Sequence, residues 1–337
     1  MEALTAQSKD APRDRFASRR ARVSTTARLH FGFLDPSGRS PNPFGSFGLS
    51  LDRPKTILKL APARTFQVSG PERDRALRYL KSIAQSCGIE AAYKLHIEEA
   101  ILPHSGLGSG TQLALAVGSA FGALEGVPLD APEIAARLGR GARSGIGIAT
   151  FAQGGAVLDS GPRPGRLPDL VTRLPFPDEW RVLLIFDKEA KGLAGPSETA
   201  AFDALPDFTE SETAELHRSV VEGALPALAA RDFAAFCEHV GYLQGRMGAY
   251  FAPLQGGGAY TSPRVKEMVD WLRGQGLTGL GQSSWGPTGF AFVASEAEGI
   301  ALLDQLRAQI SHPALSFDLA QGRNEGAKIE TSASRIQ

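Results

Sequence analysis

Alternating apolar and polar positions predict strands in both halves of the chain. The segments 21–33, "ARVSTTARLHFGF", and 93–101, "YKLHIEEAI", carry the β-branched and aromatic residues typical of strands, and 180–187, "WRVLLIFD", reads as a buried strand. Apolar residues at helical spacing predict helices at 73–88, 109–125, 211–224, 231–249 and 262–274. Strands and helices mix without a regular βαβ alternation, which favours the α+β class.

The order of these segments divides the chain into two domains. Residues 1–21 lack the apolar core of a signal peptide and are interpreted as a disordered N-terminal extension. The first domain is predicted over 22–178 and the second over 179–332, since the buried strand at 180–187 follows a proline-rich stretch at 162–177.

Composition excludes several classes of protein. The chain has 337 residues with 36 basic and 36 acidic side chains, so its zero net charge gives no support to a nucleic-acid binder. Its most apolar stretch, 113–124, is shorter than the roughly 20 residues that cross a bilayer. Cys87 and Cys237 stand far apart, which favours a reducing compartment over a disulfide framework. We expect a cytoplasmic protein that binds neither nucleic acid nor membrane.

A glycine-rich turn precedes the helix at 109–125. In "PHSGLGSGTQ", 103–112, three glycines let the backbone approach an anion, and the N–H groups of the helix start point the same way. The alternative is a turn that only caps the helix. The predicted phosphate-binding residues of this loop are Ser105, Gly106, Leu107, Gly108, Ser109, Gly110 and Thr111.

The loop resembles the second signature of the GHMP kinase superfamily. "TTARLHFGFLD" at 25–35 resembles the first signature, and "GQSSWGPTGFAFV" at 281–293 resembles the third. The resemblance implies a two-domain fold, with an N-terminal β-α-β domain and a C-terminal ferredoxin-like α/β sandwich. It also implies a homodimer.

Two features depart from the kinases of that superfamily. Gly147 stands in "RSGIGIATFAQGG", 143–155, where those kinases carry an Asp that serves the substrate hydroxyl, and Thr111-Gln112 replaces a usual Ser-Ala. Thr111-Gln112, together with "RLHFGFLD" at 28–35 and "GQSSWGPT" at 281–288, resembles the branch of beta-ribofuranosylaminobenzene 5'-phosphate synthases of methanopterin biosynthesis. That resemblance implies condensation of phosphoribosyl pyrophosphate with 4-aminobenzoate, with release of pyrophosphate and carbon dioxide. The alternatives are an ATP-dependent small-molecule kinase and a catalytically inactive protein that senses a phosphate ligand.

This reaction requires donors for a diphosphate, and Mg²⁺ is the expected cofactor. The predicted catalytic residues are Arg28, His30 and His104, all candidates for positive charge, and Arg39 and Arg143 join the loop as phosphate-binding residues. Asp35 is the candidate metal ligand. The predicted aromatic-binding residues are Gln282, Ser283, Ser284 and Trp285.

Each of these residues also has a purely structural interpretation. Arg28 could form an ion pair between domains, and His30 could be a core histidine with its hydrogen bonds satisfied. Arg39 could be solvated in its long loop, and Arg143 could belong to a solvated face with Arg137 and Arg140. The residue pattern leaves these alternatives open, as it leaves open whether Trp285 packs between the domains and whether Asp35 only opens a turn.

Overall fold

The computed structural model of the chain describes residues 19–36, 45–161, 163, 165–192, 205, 208–309 and 312–333. Residues 1–18 of the expected extension and Arg39 therefore lie outside the described residues, whereas residues 19–21 belong to the first strand. In this part of the chain no helix is both long and apolar enough to span a membrane.

The described strands are β1 (Arg19–Phe33), β2 (Ser46–Ala63), β3 (Gln67–Ser69), β4 (Ala92–Glu99), β5 (Ala156–Asp159), β6 (Leu170–Leu174), β7 (Arg181–Asp187), β8 (Leu280–Gln282), β9 (Gly289–Val293), β10 (Leu315–Gln321) and β11 (Lys328–Ala333). The described α-helices are α1 (Arg73–Ser86), α2 (Ser109–Glu125), α3 (Ala131–Arg137), α4 (Ile146–Gln153), α5 (Glu210–His217), α6 (Leu225–Ala230), α7 (Phe233–Phe251), α8 (Pro263–Gly274) and α9 (Glu296–Gln309). A π-helix (Arg218–Ala224) joins α5 to α6, and a 3₁₀ turn (Ala252–Leu254) follows α7.

The first sheet is organised around the long pair β1 and β2. Its strand order in the described residues is β11-β1-β2-β4-β3, and β5 joins β2 to β6. All neighbours are antiparallel except β3 and β4. Helix α2 packs on this sheet and on α1, α3 and α4. Its sequence, SGTQLALAVGSAFGALE, is apolar on almost every side, as expected of a helix covered all round.

The second sheet has the order β10-β7-β9-β8, and its two faces bury different layers. Along β7, Leu183 and Ile185 face α8 and α9, whereas Val182 and Leu184 face the core that holds α7. This alternation is the period-two pattern of a strand buried on both faces. The two sheets with their covering helices confirm the predicted α+β fold.

The sheets meet in one hydrophobic core. Phe31 of β1 lies 5.6 Å from Phe290 and 5.7 Å from Phe292 of β9, measured between ring centroids. Phe176 and Phe236 belong to the same cluster. Each aromatic side chain contributes about 150–250 Å² of buried surface, so this cluster holds β1 against the second sheet.

Two strands have unusual pairing. Strand β2 continues through Pro54, because Pro54 lies between Ser50 and Lys55 in a stretch with no paired β1 residue, so its missing N–H costs no bond to β1. The last strand, β11, returns to pair with β1, so the end of the chain adds to the first sheet.

Asp187 fixes the end of β7. Its carboxylate accepts hydrogen bonds from Ser262 Oγ (2.6 Å), from Arg264 Nε (3.0 Å) and from the backbone N–H of Glu189 (3.0 Å) and Ala190 (3.3 Å). Burial opposes ionisation, but the bonds from Arg264 and Ser262 outweigh it and lower the pKa of the carboxyl to about 2. The ionised side chain therefore orders the residues that follow β7.

We predict that this carboxylate gives the protein acid-sensitive stability. Because its pKa is depressed on folding, its contribution is complete above the unfolded pKa of about 4 and is lost as the pH falls from about 4 to 2. Asp187→Asn should lower the free energy of unfolding by about 2 kcal/mol at pH 7. It should also make the free energy of unfolding depend less on pH between about 4 and 2. Denaturant titrations across pH measure both, with the exposed Asp304→Asn as control. Equal stabilities of Asp187→Asn and wild type at pH 7 would contradict the prediction.

Candidate active site

The glycine loop adopts the conformation that its glycines allow. Gly106 (φ 84°) and Gly108 (φ 81°) are left-handed, and α2 begins directly after Gly108, with no described side chain capping its first turn. Ser105 is buried, and its hydroxyl donates to Leu102 O (2.7 Å), so this predicted phosphate donor is used inside the turn. The first N–H groups of α2, at Ser109, Gly110 and Thr111, start behind the loop.

The loop of the third signature holds the glycine loop in place. Ser283 Oγ donates to Gly106 O (2.9 Å) and accepts from His30 N (3.1 Å). A Cβ on Gly106 would overlap the carbonyl of Ser283, and one on Gly286 would overlap the backbone of Gly106. Ser283 is completely buried, so it acts as a clamp between two loops and does not present its hydroxyl to an aromatic ring.

Arg28 lies on the glycine loop. Its backbone N–H donates to Leu107 O (3.2 Å), and its guanidinium donates through Nη1 to Gly106 O. A Cβ on Gly108 would lie 3.3 Å from Arg28 Nε. Leu107 contributes its backbone to the loop, while its side chain is buried in the core. The structure thus brings the predicted arginine and the predicted loop together.

Two further arginines, absent from the predicted site, approach the first turn of α2. A Cβ on Gly110 would lie 3.1 Å from Arg140 Nη2 and 3.4 Å from Arg75 Nη1. Arg75 comes from α1 and also pairs with Glu72. Positive side chains beside a helix N-terminus increase its attraction for an anion. No local signal in the sequence marks this pair, because the three segments are far apart along the chain.

The loop that follows β7 of the second sheet also contacts the glycine loop and the loop of the third signature. Gly192 N donates to His104 O (3.0 Å), and a Cβ on Gly192 would overlap the carbonyl of Trp285. The backbone of His104 is left-handed (φ 58°), and its side chain is exposed. Gly192 follows the residues that Asp187 orders.

The amide of Gln112 joins α2 to α4. It is fully buried, donates to Gly147 O (2.8 Å) and accepts from Thr25 Oγ1. A Cβ on Gly147 would lie 3.0 Å from Thr111 Cγ2. The position where the kinases carry a carboxylate is therefore packed against Thr111.

The surroundings of His30 favour the neutral imidazole. Burial, and then the charge of Arg28, lower the pKa of its imidazole well below the usual value. Its Nε2 lies 3.2 Å from Ser144 Oγ, which donates to Asp159 Oδ2 (3.1 Å). His30 is thus a polar residue of a hydrogen-bond network and not a source of positive charge for a phosphate.

A cavity of about 440 Å³ opens beside His30. Its wall includes Phe33 of β1, Tyr242 and Phe251 of α7, and Trp285. The ring of Trp285 packs edge to face on Phe251, with 4.7 Å between the ring centroids. Trp285 therefore both packs against α7 and lines the cavity. Of the predicted aromatic-binding residues, Gln282, Ser284 and Trp285 line the cavity. The contribution of α7 was missed, because its apolar stripe has the pattern of an ordinary core helix.

Gln282 shapes one side of that cavity. Its Oε1 accepts from Thr261 N (2.6 Å), and its Nε2 donates to Gln255 Oε1 and Ser284 O, both at 3.0 Å. Ser284 N in turn donates to His30 O (3.0 Å). These bonds fix the loop of the third signature against β1.

Arg143 and Asp35 are the remaining candidates among the described residues. Arg143 is half-buried and directly precedes Ser144. Asp35 is 3% exposed and follows β1. In the described part of the chain no three His, Cys, Asp or Glu side chains are grouped as metal ligands. One carboxylate still fits Mg²⁺, which commonly takes one or two carboxylates together with substrate phosphates.

Comparisons with known proteins agree with this architecture. The model of the GHMP kinases N terminal domain matches residues 74–155, and that of the GHMP kinases C terminal domain matches residues 224–312. A homoserine kinase from Cytophaga hutchinsonii superposes with a TM-score of 0.64 at 17% identity, covering 97% of this chain and all of that one. This likeness concerns the fold alone.

Two curated relatives match almost end to end. The beta-ribofuranosylphenol 5'-phosphate synthase of Archaeoglobus fulgidus is 30% identical over 328 residues, which is 92% of this chain and 99% of the relative. The enzyme of the same name from Methanothermobacter thermautotrophicus is 25% identical, with 90% and 97% coverage. The chain therefore belongs to the beta-ribofuranosylphenol 5'-phosphate synthase family, within the GHMP kinase superfamily.

Proposed function

We propose that the protein condenses phosphoribosyl pyrophosphate with a 4-substituted benzoate and releases pyrophosphate and carbon dioxide, as a step of methanopterin biosynthesis. The sequence resemblance implies 4-aminobenzoate, whereas the name of the relatives contains a phenol, which corresponds to 4-hydroxybenzoate. One observation carries the proposal. Arg28 on the glycine loop and His30 in the wall of the aromatic cavity are two residues apart on β1, so an anion site and a ring site adjoin.

The reaction balances without a base at the attacking carbon. The bond from ribose C1 to oxygen breaks, and pyrophosphate leaves with the electron pair. The ring carbon that carries the carboxylate attacks the oxocarbenium-like ribose. The bond to the carboxylate then breaks, carbon dioxide leaves, and the returning pair restores the aromatic ring. A glycine at position 147, in place of the kinases' Asp, is compatible with this chemistry.

The leaving group requires hydrogen-bond donors. The N–H groups at the start of α2 and the guanidinium of Arg28 are suited to the pyrophosphate, and Arg75 and Arg140 add positive charge at Gly110. Bound Mg²⁺ would neutralise charge on the pyrophosphate, and Asp35 is the carboxylate we propose to hold it.

The cavity is suited to the aromatic acid. Phe33, Phe251 and Trp285 give it an apolar wall, which also keeps water from an oxocarbenium ion. Arg273 and Glu238 are its charged lining residues.

The direct test uses benzoates labelled in the carboxyl group. The purified protein is incubated with phosphoribosyl pyrophosphate, Mg²⁺ and labelled 4-aminobenzoate or 4-hydroxybenzoate, and released carbon dioxide and pyrophosphate are counted. We expect a one-to-one ratio with one of the two acids. Turnover of ATP with no carbon dioxide from either acid would overturn the proposal in favour of a kinase.

We predict that Gly110→Ala weakens the binding of pyrophosphate by about tenfold or more. The added methyl would stand where Arg75 and Arg140 approach the first turn of α2. Gly110 has no left-handed backbone, unlike Gly108, so alanine costs no backbone strain there. Calorimetry measures the affinity, and the melting temperature should not fall. Gly274→Ala, in an open position of α8, is the matched control. Unchanged affinity in Gly110→Ala would remove the helix start from the site.

We also predict that Arg28→Lys lowers kcat/KM by more than about tenfold. A lysine cannot hold the carbonyl of Gly106 and present a second planar pair of donors to an anion. Arg22→Lys, on the same strand and at the surface, should leave turnover unchanged. Steady-state kinetics with the active benzoate measures both variants, and near wild-type turnover of Arg28→Lys would exclude Arg28 from catalysis.

A further inference from the structure

Three buried or half-buried side chains form a hydrogen-bonded line behind the aromatic cavity. His30 Nε2 lies 3.2 Å from Ser144 Oγ, and Ser144 Oγ donates to Asp159 Oδ2 at 3.1 Å. His30 is 3% exposed and Asp159 is 1% exposed. The three residues come from β1, from the residues just before α4 and from the end of β5, so the tertiary structure assembles the line.

All the partners of Asp159 are donors. Its Oδ1 accepts from Ser46 N (2.7 Å) and Gly161 N (2.9 Å), and its Oδ2 accepts from Gly145 N (2.6 Å) and from Ser144. Burial raises the pKa of this carboxyl above its usual value, and these hydrogen bonds offset only part of the rise. Four donors are the arrangement that an ionised carboxylate requires.

The direction of the hydrogen bonds follows from this carboxylate. A hydroxyl has one hydrogen, and Ser144 gives it to Asp159, which can only accept. Only lone pairs of Ser144 Oγ remain for His30, so Nε2 of the imidazole must carry the hydrogen of that bond. In a neutral imidazole the other nitrogen, Nδ1, is then an acceptor.

Nδ1 of His30 is buried and has no hydrogen-bond partner among the described residues. A buried polar atom left unpaired destabilises the folded protein, so an unpaired acceptor on a residue of the cavity wall indicates a partner that arrives with a ligand. His30 belongs to the wall of the 440 Å³ cavity, beside Phe33, whose ring lies 4.7 Å from the imidazole between centroids. The expected partner is a hydrogen-bond donor on an aromatic ring.

We propose that Ser144 and Asp159 are positioning residues that hold His30 in the Nε2–H form, and that His30 Nδ1 accepts a hydrogen bond from the 4-hydroxyl or 4-amino group of the benzoate. The identity of this donor rests on the proposed function. The assignment of the tautomer does not.

The hydrogen bond from the 4-substituent to His30 Nδ1 would make the ring more electron-rich as its carbon attacks the ribose. As the ring carbon bonds to ribose, positive charge develops on the 4-substituent, and its proton shifts toward Nδ1. When carbon dioxide leaves, the returning electron pair restores the ring, and His30 gives the proton back. No proton is gained or lost overall, and no further reactant is needed.

The tautomer is tested without any turnover. Long-range proton–nitrogen spectra of protein labelled with ¹⁵N in its six histidines distinguish Nε2–H from Nδ1–H, and loss of a signal in His30→Gln assigns His30. We expect Nε2–H in the wild type and in Ser144→Thr, a mixed or altered pattern in Ser144→Ala, and no change in Ser160→Ala. Ser160 is the neighbour of Asp159 and bonds elsewhere, to Asp169 N. A wild-type Nδ1–H form would overturn the proposal.

Kinetics and binding test the role of that tautomer. Ser144→Ala should lower kcat by about tenfold or more with the KM for phosphoribosyl pyrophosphate unchanged, and Ser144→Thr should restore most of the kcat.

Wild type should bind 4-hydroxybenzoate about tenfold or more tightly than 4-methoxybenzoate, and His30→Phe should bind the two acids alike. Equal binding of the two acids by the wild type would overturn the substrate contact. If the wild type releases carbon dioxide from neither 4-aminobenzoate nor 4-hydroxybenzoate, the proposed function fails while the spectra still decide the tautomer.

Discussion

The candidate site depends on the close contact between two glycine-containing loops. The backbone at Gly106 lies directly against Gly286, and Ser283 closes the contact with a hydrogen bond to Gly106 O. No side chain fits between these backbones, so the start of α2 is held at a fixed position relative to the second sheet. Since Ser283 also accepts from His30 N, the same contact sets the position of β1.

The contact separates two chemical environments along β1. At Arg28 the strand donates to the carbonyls of Gly106 and Leu107 in the glycine loop, and the guanidinium is a cation suited to a phosphate. Two residues further, at His30, it meets a neutral imidazole and aromatic rings. Arg28 helps to lower the pKa of His30, so the charge that favours the phosphate also keeps the imidazole unprotonated. The two halves of the proposed reaction would thus be served by neighbouring side chains of one strand.

Much of this arrangement follows from the sequence because its determinants are local. The helix predicted at 109–125 is observed as Ser109–Glu125, since glycines bound it at both ends and its apolar pattern continues between them. The loop before it and the arginine of the first signature are likewise marked by short motifs. What could not be predicted arises from tertiary contacts. Arg75 reaches Gly110 from α1, and Arg140 reaches it from the turn after α3. Ser283 turns to a backbone carbonyl, and Ser144 and Asp159 meet His30 only in the folded chain.

The central claim is that the anion and the aromatic ring occupy adjoining sites that meet at Arg28 and His30. The most direct measurement is the anomalous scattering of crystals grown with pyrophosphate, Mg²⁺ and 4-hydroxy-3-iodobenzoate. The account predicts an iodine peak inside the cavity between His30 and Trp285, with pyrophosphate density on the N–H groups at the start of α2. An iodine peak on the glycine loop, or pyrophosphate density inside the aromatic cavity, would contradict it.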